Sequence, residues 1–97
     1  MDIRIESVKF DADKKLLDFI NEKVGKLERF FDAIIGVEVT LSLVPGPENK
    51  KAIIRVKIPG SDLIAERNCT TFEEAILTGV NVLKENLKKT KEKKRGV

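Results

Sequence analysis

The 97-residue chain, with 41% hydrophobic and 36% charged residues, has apolar content for one core and too little length for two. It contains no His, Trp or Tyr and a single cysteine, Cys69, which excludes an internal disulfide, a Cys/His zinc site and any His-dependent catalytic pair. A formal net charge of +3 is too small to announce a nucleic-acid binder by itself, and no apolar run approaches the ~20 residues of a membrane span. The start, Met1-Asp2-Ile3-Arg4-Ile5, alternates polar and apolar and lacks the apolar stretch of a signal peptide, so a cytoplasmic location is expected.

The first predicted element is a strand from Asp2 to Phe10. Ile3 and Ile5 share one face, Val8 and Phe10 the other, so a bulge or a strand end is expected near Ser7. Asp13 is the expected N-cap of a helix whose apolar stripe is Leu16, Ile20, Val24, Leu27 and Phe31. Gly25 interrupts that helix at about 1 kcal/mol relative to Ala and predicts close packing there. Gly36 is its expected stop. A second strand follows, with Val37, Val39, Leu41 and Leu43 inward and Glu38, Thr40 and Ser42 outward. Pro45-Gly46-Pro47 breaks the chain into a loop. A third strand buries Ala52, Ile54, Val56 and Ile58, with Arg55 and Lys57 outward, and Pro59-Gly60 turns into a weaker fourth strand near Asp62 to Asn68. Thr70/Glu73 and Thr71/Glu74 both have capping-box spacing before a second helix with the stripe Phe72, Ile76, Val80, Leu83 and Leu87. The expected fold is α+β, a two-layer sandwich of order β-α-β-β-β-α. Its four-stranded sheet has the first two strands parallel, by a right-handed crossover, and the rest antiparallel, with two helices on one face.

The charge is unevenly placed. Residues 84–97 hold seven basic and two acidic side chains, a local +5, against −2 for residues 1–83. At helical spacing Lys84, Lys88, Lys91 and Arg95 form a stripe flanked by Lys89 and Lys93. Lys23, Lys26 and Arg29 step by three on the first helix, and side-by-side helices would merge the two sets into one surface for folded RNA. The plainer alternative is a solvated lysine-rich tail over about 91–97. Phe10, Phe19, Phe31 and Phe72 are expected in the core, with Phe30 beside the stripe and part-exposed. RNA contact is therefore expected through backbone and shape. Cys69 is expected as a small buried hydrophobe. No carboxylate pair, metal motif or phosphate loop is evident, so neither an enzyme nor a cofactor is expected.

The strand order, the segment Lys26-Leu27-Glu28-Arg29-Phe30-Phe31-Asp32 and the segment Thr71-Phe72-Glu73-Glu74-Ala75-Ile76 with its lysine-rich helix end resemble the short ribosome hibernation promoting factors, relatives of protein Y, over about residues 2–95. The resemblance implies a single ribosome-binding domain that seats in the small ribosomal subunit over the decoding centre and mRNA channel. There it overlaps the A- and P-site tRNA positions and silences translation in stationary or starved cells. It implies ribosomal-RNA contacts from Lys23, Lys26 and Arg29 and from Lys89, Lys91 and Lys93, with Lys84 compensating from the next position, and no membrane or DNA partner; the charge stripe adds Lys88 to this set. Relatives show Asp-Met-Tyr where this chain has Thr71, Phe72 and Glu73, Lys and Arg where it has Val82 and Glu85, and Arg where it has Leu17. Long forms continue into a domain that pairs ribosomes. A chain ending at Val97 is expected to act on single ribosomes or beside a separate ribosome-dimerising factor. Two other readings stay open: a protein-interaction module using the polar sheet face or edge, and a general RNA binder not specific to ribosomes.

Overall fold

The alternation at the N-terminus builds β1 (Asp2–Ser7) in a computed structural model that describes residues 1–95, with side chains to residue 92. The phase change near Ser7 is a strand end. Lys9 takes a left-handed φ of 64°, and Phe10 swings back to stack on Phe72 with ring centroids 5.1 Å apart.

Asp13 caps α1 (Lys14–Gly25) by accepting from the Leu16 N–H at 2.9 Å. The helix is shorter than the apolar stripe suggested. It tightens at Gly25 into a 3-10 turn over Lys26–Arg29, closed by the Phe30 N–H donating to the Leu27 carbonyl at 3.0 Å. The turn keeps Leu27 in the core, and Phe31 and Ile34 follow it there. Two glycine expectations are overturned. A Cβ at Gly25 would meet nothing within 4 Å, so no close packing occurs there. Gly36 does not stop the helix: it opens β2 (Gly36–Leu43) opposite Asp2, whose carbonyl would lie 3.2 Å from an added Cβ.

β2 pairs parallel with β1 and antiparallel with β3 (Lys50–Ile58), which pairs antiparallel with β4 (Ser61–Cys69), giving the order β1-β2-β3-β4. Val37, Val39, Leu41, Ala52, Ile54, Val56 and Ile58 are buried as expected. Leu43 is not: it sits opposite Lys50 at the end of β2, beyond the helices' cover, and is 53% exposed. Cys69 is buried beside Thr78.

Thr71 caps α2 (Phe72–Arg95), its hydroxyl accepting from the Glu74 N–H at 3.1 Å, while the Glu74 carboxylate takes the Thr70 hydroxyl. Thr71→Ala is expected to cost about 1 kcal/mol, read as a lower chemical-denaturation midpoint with an unchanged m-value. Ile76, Leu83 and Leu87 are fully buried, and Val80 half-buried. The close contact of helix to sheet is at Gly79, where a Cβ would stand 2.9 Å from Ile54 Cδ1.

α1 and α2 lie together on one face, sharing a core with the inward side chains of all three longer strands. The outward face is ionic. Lys57 pairs with Glu38, Lys51 with Glu66 at 3.1 Å, Arg55 with Asp62 at 4.0 Å and Arg4 with Asp2 at 3.3 Å. Lys57's hydrogen bond and charge hold the Glu38 carboxyl below the usual carboxylate range. That stabilisation is present above the ordinary carboxylate pKa and is lost as pH falls through the lowered folded value.

Candidate nucleic-acid interface

The short loop-free passage from α1 into the 3-10 turn carries Lys23, Lys26 and Arg29 along the flank of α2. Together with Phe30, Leu77, Val80, Asn81 and Lys84 they line a groove of about 200 Å³ between the two helices. The sets that the sequence placed 55 residues apart (Arg29 and Lys84) are thus on one surface.

Phe30 organises the α2 side. The Lys84 ammonium lies 5.0 Å from its ring centroid and that of Lys88 5.4 Å, within cation–π range. Phe30 is half-buried, as expected, but its ring serves as a seat for two lysines. Lys23 similarly lies 5.5 Å from the Phe19 ring. Glu22 sits 3.8 Å from both Lys23 and Lys26, and Glu85 lies 3.9 Å from Lys88. Among the described residues, Arg29 and Lys84 are paired with no carboxylate and remain available to an external anion.

The remaining lysines divide. At about 100° per residue, Lys91 falls within roughly 60° of arc with Lys84 and Lys88, continuing the groove's cationic side along α2. Lys89 is exposed but turned about 100° from Lys88, onto the outer flank away from α1. The side chain of Lys93 lies outside the described residues, as does that of Arg95. Leu77, Val80 and Asn81 were not legible as groove residues: Val80 reads as core, and Asn81 carries no pattern. Leu77 was the available signal, an apolar residue off the stripe, and it is 42% exposed.

Residues 3–95 match the family described as "Sigma 54 modulation protein / S30EA ribosomal protein". The chain belongs to this family. Proteins of similar sequence include ones named ribosome hibernation promoting factor. One, from Azotobacter vinelandii, is 29% identical over 93 residues, covering 96% of this chain and 85% of the relative. Another, from Pseudomonas putida, is 27% identical over 97 residues, covering 100% of this chain and 93% of the relative. A similar fold is seen in a ribosomal subunit interface protein from Coxiella burnetii, with a TM-score of 0.84 at 20% identity, covering 95% of this chain and 99% of that one. The resemblance read from the two helical segments therefore holds, and so does the β-α-β-β-β-α order with its parallel first pair.

Proposed function

We propose that this S30EA-family chain is a ribosome hibernation factor. It seats its helical face on the small ribosomal subunit at the decoding region and mRNA channel, excluding mRNA and tRNA. Family membership and the named relatives support a ribosome-associated hibernation role. The observation that carries the finer reading is the inter-helix groove, where Lys23, Lys26, Arg29 and Lys84 converge and Lys88 joins through Phe30. Convergent cations on two rigid helices suit a folded phosphate backbone better than a single extended strand. Action is by occupancy, with ribosomal RNA as the partner.

Co-sedimentation with purified small subunits tests the reading. Binding is expected at low salt, with log K falling linearly as log salt rises, by about 0.7–0.9 per phosphate neutralised. Absence of co-sedimentation at low salt sinks it. Undiminished binding to any structured RNA would turn it into the general RNA-binding reading. Within the site, Lys88→Glu is expected to weaken binding several-fold more than Lys89→Glu, because only Lys88 shares the groove side of α2. Equal losses in a sedimentation titration would show that the groove side is not favoured, and a greater loss at Lys89 would place the contact on the outer flank of the helix.

A further inference from the structure

The groove contains more than phosphate recognition requires. Leu77 is 42% exposed beside a fully buried Ile76, and with Val80 it forms an apolar wall open to solvent. Asn81 lines the same groove with an exposed carboxamide that bonds to nothing among the described residues. The cations stand around these groups. We infer that the groove receives one unstacked RNA base against Leu77 and Val80, its edge on the Asn81 carboxamide and its flanking phosphates on Arg29 and Lys84. The inference rests on the RNA-binding reading above and deepens it.

Three observations select this occupant. The space of about 200 Å³ is smaller than the roughly 300–1,000 Å³ of sites that enclose a whole small molecule, so it suits a base whose sugar and phosphates stay outside. The Phe30 ring faces two ammonium groups, so the base meets aliphatic walls and not an aromatic platform. A carboxamide offers a donor and an acceptor side by side, the pattern that matches a base edge. An acidic peptide would satisfy the cations but leave that paired donor and acceptor without a matching edge. A nucleotide joins an apolar face, a polar edge and an anionic tail in one unit, and unstacked bases are what sequence-reading RNA binders grip.

The test uses the full chain, titrated by NMR with adenosine 5′-monophosphate, with ribose 5-phosphate, and with a short Asp-rich peptide containing one Phe. The nucleotide is expected to move the Leu77 and Val80 methyl signals and the Asn81 side-chain amide, saturably. Ribose 5-phosphate at equal concentration is expected to move only signals beside Arg29 and the lysines. Identical patterns from the two would overturn the base site, and so would tighter binding of the peptide at the same methyl groups. On small subunits, Asn81→Ala and Leu77→Ser are each expected to weaken binding about 5- to 10-fold with the salt slope unchanged, since neither removes a phosphate contact. Lys84→Ala is expected to lower the slope by about 1. Wild-type affinity in both neutral variants refutes the base site while leaving the ribosome reading intact. If the wild type itself does not bind small subunits, that reading fails and the nucleotide titration still decides the groove.

Discussion

Replacing Lys26, Arg29 and Lys84 together by Glu is expected to weaken binding to small subunits by on the order of 1,000-fold while leaving the fold intact. Hydrogen bonds to charged groups contribute about 1.5 kcal/mol each at the low end, so three lost contacts amount to roughly three decades in affinity. Reversal adds repulsion from phosphate to that loss. The log–log salt slope is expected to fall by about 2–3. Lys26 and Arg29 are exposed, and the Lys84 ammonium rests on a ring and not in the core. Surface substitutions of this kind usually stay within about 0.5 kcal/mol in stability, so the circular-dichroism melt should move little. A loss under tenfold with an unchanged slope would mean that the groove is not the binding face.

Gly79→Leu is expected to act on the opposite property. A first carbon at position 79 would stand 2.9 Å from Ile54 Cδ1, and Ile54 is fully buried in β3. Ile54 Cδ1 is a side-chain end and can turn aside for one carbon, but the whole leucine side chain must be housed against it, with Ala65 Cβ and Arg67 Cγ each 3.9 Å from that first carbon. Overpacking of this kind costs about 1–3 kcal/mol. Each kcal/mol moves the midpoint of a domain this size by about 4–8 °C, so a Tm lower by roughly 4–24 °C is expected by calorimetry. Gly25→Ala provides the contrast. Its backbone is ordinary right-handed helix (φ −58°) and its Cβ meets nothing within 4 Å, so a gain of up to about 1 kcal/mol is expected. A Gly79→Leu variant as stable as the wild type would show that α2 can stand off from β3.

These two glycines also mark the boundary of what a single sequence discloses. Periodicity located every strand and both helices, because a stripe at 3.6 and an alternation at 2 are consequences of facing one core. It did not separate Gly25 from Gly79, because the contact that distinguishes them is made by Ile54, distant in the chain. It extended α1 too far, because the spacing of Leu27 and Phe31 is compatible with both an α-helix and a 3-10 turn that returns them to the core. Leu43 continued an alternation whose core had already ended. For the site, the cations were visible as residue types, and their convergence followed from helix packing. The seating of Lys84 and Lys88 on Phe30 was not visible, since no spacing rule links a ring on one element to lysines on another. Lys89 flanks the stripe as its spacing requires, since one residue of helix turns it about 100° from Lys88.

The ion pairs on the outer face of the sheet have a kinetic consequence. Arg4, Lys51, Arg55 and Lys57 each spend their charge on a neighbouring carboxylate, so that face carries almost no field of its own. The opposite side sums its cations without such cancellation at Arg29 and Lys84. The molecule is therefore an electric dipole, positive end at the helices. Near a wall of phosphates it experiences a torque that turns the helices inward before any contact forms. Fewer collisions are wasted on wrong orientations, so the association rate, and not only the lifetime of the complex, carries the signature of the sheet's neutrality. That signature fades as ionic strength shortens the reach of the field.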